Sequence, residues 1–265
     1  MGRGAEGTPN YMHAKASRTT LQEILGLRDA YVAEANCQLI SYSALPRGIA
    51  DPYVLLLDDE VAGYAGIWNR YSPGHVSEFF VTLGLRRWCP ELFRAFVEDG
   101  GATHVELQTN TLMGRVIAAM ACRSLRAEKI VFQDGGAIAL TAPMPGVTFS
   151  EAPDPSPNHP DSRQYRLLVG SQAVVSGGYL CHYNPPYADV YMEVEESMRR
   201  KGLGRYFVNA VMEAARSNGK IPAARCNIDN LASRATLLGA GFREVGHIVT
   251  GRIRPEFRRA EAVPR

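Results

Sequence analysis

The sequence predicts an α+β fold, an α/β mixed sheet that is mostly antiparallel and flanked by helices, built twice along the chain. Three observations point there. Short β-favouring apolar runs alternate with amphipathic helical stretches. The order of these signals in the first half returns in the second. The halves also superimpose without gaps over residues 54–87 when shifted by 113 positions: Leu55 falls on Leu168, Val61 on Val174, Pro73 on Pro186, Val81 on Val194, and Arg86-Arg87 on Arg199-Arg200. Two domains are therefore expected, 1–148 and 149–265.

Each element has its own signal. Leu21, Ile24, Leu25, Leu27, Ala30, Val32 and Ala33 recur at helical spacing. Strands are expected over 54–57, 61–68 and 75–83, with a turn at Tyr71-Ser72-Pro73-Gly74. Residues 92–97 and 113–125 are expected as helices, with a strand at 105–109 between them. Residues 129–141 are expected as a hairpin turning on Asp134-Gly135-Gly136. Residues 151–162 hold four prolines and form a linker or surface loop. The strand rhythm then restarts at 166–169, 173–183 and 187–194, with Asn184-Pro185-Pro186 as a turn. A helix over 203–217 buries Leu203, Phe207, Val208, Val211, Met212 and Ala215, and Asn218-Gly219 stops it. A strand at 222–227, a helix at 231–238 and a strand at 245–253 complete the chain.

Composition narrows the function classes. The chain has 265 residues, 46% hydrophobic and 21% charged, as a folded globular protein requires. A net charge of +2 gives no global attraction to nucleic acid or membrane. No apolar run reaches the ~18 residues of a spanning helix, and no secretory signal is expected from the polar, Gly-rich residues 1–10. The five cysteines (Cys37, Cys89, Cys122, Cys181, Cys226) are scattered and lack CxxC spacing. That argues against a disulfide framework or a zinc site and suits the cytoplasm. His13, His75, His104, His159 and His247 show no metal-ligand spacing. The basic tail (Arg252, Arg254, Arg258, Arg259) is expected to be a solvated end.

Residues 187–204, YADVYMEVEESMRRKGLG, carry the chemistry. A strand runs through a basic loop into Gly202-Leu203-Gly204, which opens an amphipathic helix. The first amides of a helix have no internal partner, and its dipole favours an anion there. Glycines allow close backbone approach, and Arg199, Arg200 and Lys201 add positive charge. The combination is a pyrophosphate cradle. It lacks the Lys-Ser/Thr of a Walker loop and the third glycine of a dinucleotide fingerprint.

This segment resembles the GNAT superfamily of acyl-CoA-dependent N-acyltransferases. Arg199 to Gly204 match its Q/R-x-x-G-x-G/A loop, and Asn230-Leu231-Ala232-Ser233 with Gly241-Phe242 match its N-x-x-S/A…G-F signature. The motifs cover residues 165–253. The first half follows only by pattern, so the resemblance implies two tandem GNAT-like domains, the first degenerate. Opposite the glycine loop that half has Trp88-Cys89-Pro90-Glu91, which lacks both glycines, an amide at Pro90 and a favourable charge at Glu91.

The resemblance implies acetyl-CoA as co-substrate, no metal, and acetyl transfer to a primary amine by direct attack on the thioester. Val194 would pair with pantetheine, and residues 199–204 (Arg199, Arg200, Lys201, Gly202, Leu203, Gly204) would hold the pyrophosphate. Asn230 and Ser233 would line the far side of the arm. Many members place a tyrosine acid seven residues after the motif Asn, where this chain has Leu237. Tyr191, Cys226 and water are then the alternatives for the acid, with Cys226 otherwise a small buried residue. Glu193 is the candidate base, or a solvated glutamate on one strand face. Tyr183, Tyr187 and His182, near Tyr179 and Tyr191, are candidate acceptor-pocket residues, although tyrosine also simply favours strands.

The expected partner is a small-molecule amine, with no nucleic acid or membrane. The proline-rich loop stands where the family has acceptor-binding helices, so the first domain or a second chain in a homodimer would complete the acceptor site. A non-catalytic acyl-CoA-binding module and acyl transfer to a protein or peptide amine are the alternatives. Aminoacyl transfer from tRNA and acyl-CoA decarboxylation are more distant ones. An intact pyrophosphate loop and near-neutral charge both speak against the tRNA reaction.

Overall fold

Local patterning produces the elements, and their pairing produces one sheet. The computed structural model describes residues 12–152 and 160–258. In the first half the order is β1 (Ala14–Arg18), α1 (Leu25–Ala35), β2 (Ala50–Leu57), β3 (Glu60–Trp68), β4 (His75–Val81), α2 (Cys89–Gly100), β5 (His104–Gln108), α3 (Leu112–Ala121) and β6 (Cys122–Asp134). The second half follows with β7 (Val147–Glu151), β8 (Arg163–Val169), β9 (Gln172–Leu180), β10 (Tyr187–Val194), α4 (Leu203–Ser217), β11 (Ile221–Asn227), α5 (Leu231–Ala240) and β12 (Phe242–Ile253). Where α1 stands in the first half, the second has the proline-rich segment. Residues 153–159 of that segment lie outside the described residues, as does Arg259 of the tail.

Among the described residues the strands form a single twelve-stranded sheet, ordered β1-β2-β3-β4-β5-β12-β6-β11-β10-β9-β8-β7. The halves exchange their last strands. β12, the final strand of the chain, pairs with β5 of the first half, and β6 pairs with β11 of the second. β6 and β12 lie antiparallel to one another at the centre. The cores follow the exchange. Val249, Ile253 and Phe257 pack into the first-half core with Phe93 and Leu107. Ile130 and Phe132 pack into the second-half core with Phe207 and Phe242.

Details at matched positions support duplication. Arg86 Nε donates to the Val81 carbonyl at 3.1 Å, and Arg199 Nε donates to the Val194 carbonyl at 3.1 Å. Each arginine ties the loop after a middle strand back to that strand's end. The N-caps of α3 and α5 also agree. Thr111 accepts from the Gly114 amide and Asn230 from the Ser233 amide.

Two expected elements are corrected. Residues 129–141 do not form a hairpin: β6 is one strand ending at Asp134. It is paired on one side with β11 and on the other with β12, so no edge is free for a returning strand. The expected helix over 113–125 ends at Ala121, and Cys122 already belongs to β6. β6 there pairs with β12, which supplies backbone partners that helical periodicity does not announce. β1 and β7, short edge strands, carried no clear sequence signal.

Candidate functional site

β10 and β11 run parallel but pair only from Tyr187 to Asp189 with Ile221 to Ala223. β10 continues along β9 as far as Val194 opposite Val175. The two parallel strands therefore diverge beyond Asp189, leaving one edge of residues 190–194 unpaired with β11. The first half repeats this divergence, since β4 and β5 pair only at His75 and Val76.

The mouth of the gap is a cavity of about 620 Å³. Glu193, Val194, Arg199, Arg200, Gly202, Gly204, Asn230 and Ser233 all line it. Arg200 at φ 62° and Gly202 at φ 78° both turn the backbone left-handed, and Gly202 caps α4. The loop thus delivers the α4 N-terminus to the cavity with its first amides free of helical partners. At Gly204 a Cβ would lie 3.2 Å from Val194 Cγ2 and 3.3 Å from Met192 Sδ. Glycine there keeps the cradle open. Buried Leu203 and Phe207 anchor the helix from beneath, each contributing about 2 kcal/mol. Lys201 is exposed and its Nζ donates to Met198 Sδ at 3.4 Å; its side chain is not among the cavity's lining groups.

Beyond Met192 and Ser233, which both cavities share, lies a second space of about 200 Å³ at the closed end. Tyr191, Leu237, Asp189 and Arg225 line it. Asp189 was not legible as a site residue. It is only 5% exposed, and Arg225 Nη1 donates to its Oδ2 at 2.9 Å. Oδ1 has no hydrogen-bond partner. Burial pushes this carboxyl up to about 6, with Arg225, Gln38 and Lys129 pulling the other way. The available signal was an acid between Ala188 and Val190 in an apolar strand, matched by one arginine in the neighbouring apolar run.

The remaining expected residues divide by place. Arg225 stacks over Tyr183 at 5.0 Å, and His182 lies against Tyr183 with ring centres 4.0 Å apart. These three therefore stand together beside Asp189. Tyr187 is buried. Cys226 is buried in the core and lines neither cavity; burial raises its thiol, with Ser233 opposing. Burial also raises Tyr191, which stays protonated at neutral pH. Asn230 Oδ1 is spent on capping α5, accepting from the Ser233 amide at 3.0 Å. Among the described residues no cluster of His, Cys, Asp or Glu could hold a metal ion, and no helix is long and apolar enough to cross a membrane.

In the first half Glu78 occupies the position matching Tyr191. It is 1% exposed, 3.3 Å from Arg28 Nη2 and accepting from the Tyr64 hydroxyl at 2.7 Å. Burial raises its carboxyl against the pull of Arg28 and Tyr64. A buried ion pair with Arg28 of α1 thus stands at this position in the first half.

Residues 187–255 match the family model of FR47-like proteins. No curated protein matches the sequence significantly. Among solved structures the chain is similar to a GNAT-family acetyltransferase from Colwellia psychrerythraea: 13% identity, TM-score 0.72, 91% of this chain and 100% of that one. It is similar to a tandem GNAT protein from the clavulanic acid biosynthesis pathway, solved without AcCoA, at 14% identity and TM-score 0.55, covering 91% and 98%. A GCN5-related N-acetyltransferase from Sphaerobacter thermophilus matches at 13% identity and TM-score 0.51, covering 93% and 97%.

Proposed function

For a chain with the GNAT fold, whose second half matches the FR47-like family, we propose acetyl transfer from acetyl-CoA to a primary amine of a small molecule. One observation carries this reading: a strand gap with a glycine-opened helix N-terminus at its mouth and a buried, half-free carboxylate at its closed end. The amides and basic side chains at 199–204 suit a pyrophosphate, and the unpaired edge of residues 190–194 suits an amide-bearing arm. Bound there, acetyl-CoA would supply the activated acyl thioester.

The chain's own residues supply the proton chemistry. Asp189 lines the inner cavity with Oδ1 free of a hydrogen-bond partner and accepts the amine's proton, while Arg225 holds Oδ2. A carboxyl near 6 is ionised at neutral pH yet more basic than an ordinary aspartate. Tyr191, protonated and lining the same cavity, is the proton donor to the leaving group. Glu193 is exposed at the mouth and further from the closed end.

Acetyl-CoA should raise the melting temperature, and Gly204→Asp should abolish that rise. No rise with any acyl-CoA would sink the reading. A second reading, an acyl-CoA-binding module without turnover, is favoured by Leu237, which lies in the inner cavity where the resemblance implies a tyrosine. Thiol release across a panel of amines separates the two.

A further inference from the structure

We propose that Tyr183 is a positioning residue for Arg225, and through it for Asp189, and that the first half of the chain holds the turn carrying Tyr183 in place. This rests on the function proposed above. Arg225 lies two residues past Ala223, the last residue of β11 paired with β10, so its side chain borders the gap between the strands. Its Nη1 donates to Asp189 Oδ2 at 2.9 Å. That single bond sets a distance and leaves the guanidinium plane free to turn. The Tyr183 ring removes this freedom. The Arg225 guanidinium carbon stands 5.0 Å from the ring centre, close enough for a cation–π contact. His182 packs against Tyr183 as well, with ring centres 4.0 Å apart.

The turn between β9 and β10 that carries Tyr183 is itself tied down. The Cys181 amide donates to Ser162 Oγ at 3.0 Å, and the Tyr187 amide to the Asn184 carbonyl at 3.1 Å. Asn184, next to Tyr183 in the chain, is fully buried, and both ends of its carboxamide are used. Oδ1 accepts from the Leu39 amide at 2.7 Å, and Nδ2 donates to the Cys37 carbonyl at 3.0 Å. Residues 37–40 follow α1 in the first half. Gln108, at the end of β5, holds them in turn, accepting from the Ile40 amide at 2.6 Å and donating to the Gln38 carbonyl at 2.8 Å. Contacts therefore run unbroken from β5 through residues 37–40, Asn184, Tyr183 and Arg225 to Asp189. Other charged groups face the last three: Lys129 of β6 toward Asp189, Glu106 of β5 toward Arg225, and Arg47, before β2, toward Tyr183. Tyr183 lines neither cavity, so it acts through Arg225 and not on the acceptor.

The test compares Tyr183→Leu, which removes the ring face, with Tyr183→Phe, which keeps it and removes only the hydroxyl. In Tyr183→Leu, kcat for the amine should fall roughly ten-fold, while KM for acetyl-CoA and the acetyl-CoA thermal shift stay at wild-type values. Carbon-13 NMR of labelled aspartate, assigned with Asp189→Asn, reads the same event without turnover. The Asp189 midpoint should rise by on the order of half a pH unit as Arg225 loosens. Tyr183→Phe should restore both values. Asn184→Ala, which frees the turn from residues 37–39, should act as the leucine variant does; an unaltered kcat and midpoint there overturn the part assigned to the first half. An Asp189 midpoint unchanged in folded Tyr183→Leu overturns the proposal, and so does a rise in amine KM alone, which would make Tyr183 an acceptor contact. Absence of amine turnover in the wild type would instead remove the proposed function, and the NMR titration would still decide whether Tyr183 places Arg225.

Discussion

Asp189 and Glu193 are four residues apart on one strand, and at the residue scale their surroundings separate them. Glu193 faces solvent at the cavity mouth, whereas Asp189 is buried at the closed end with an arginine on one oxygen. Spacing along a strand cannot make that distinction, because β11 and its Arg225 decide it. Asp189→Asn should lower kcat/KM by ~10²–10⁴ while leaving the acetyl-CoA thermal shift intact. With Asp189 as the proposed base, active when ionised, wild-type kcat/KM should rise with pH through about 6 and level off above it. Glu193→Gln should change turnover by no more than a few-fold. Steady-state kinetics from pH 5 to 9 on the three proteins checks all of this.

At the scale of elements, the loop before α4 and both ends of α4 were legible, and the ion pair that ties its C-terminal end down was not. The basic residues, the two glycines and the helical period sit within one short stretch, so their chemistry is local. The C-terminal end of α4 depends on a distant strand. Arg216 forks onto Asp134 of β6, with Nε and Nη2 at 2.9 and 2.6 Å from its two oxygens, and also reaches the Gly136 carbonyl at 3.1 Å. The Arg216 hydrogen bonds hold the Asp134 carboxyl below its usual value. The stabilisation is complete above the unfolded aspartate pKa, ~3.9, and is lost as pH falls through the lower folded value. Arg216→Leu should therefore cost about 1 kcal/mol at pH 7 and less at pH 3, read by denaturant unfolding at both. Gly202→Ala should cost about 1 kcal/mol through strain at φ 78°. Its CoA binding should weaken less than in Gly204→Asp, which places a carboxylate in the cradle.

For the whole molecule the strand exchange governs stability. β12 completes the first half and β6 the second, so cutting the chain between the halves leaves each core short of a strand that the other holds. Fragments 1–148 and 149–265 expressed alone should be insoluble or unfolded. Co-expression should restore a folded complex, and the intact chain should unfold in one transition by fluorescence and circular dichroism. Phe257, 6% exposed and 5.7 Å from the Phe93 ring, lets a residue near the end of the chain report on the first core. Phe257→Ala should lower stability by about 3 kcal/mol without altering the acetyl-CoA shift per unit of folded protein.

The sequence by itself determined most of the element types, their repeated order and the basic, glycine-containing loop before α4, because periodicity, capping and backbone freedom act over a few residues. It also marked the contrast at the matching place in the first half, where Pro90 has no amide hydrogen and Glu91 carries a negative charge. Only the tertiary structure decided that the sheet is continuous, that a hairpin cannot form after Asp134, and that Asp189 and Arg225 meet. Those outcomes depend on which strand edges find each other across the chain. Once β6 had neighbours on both edges and β10 parted from β11, the buried carboxylate and the space before it followed from the pairing.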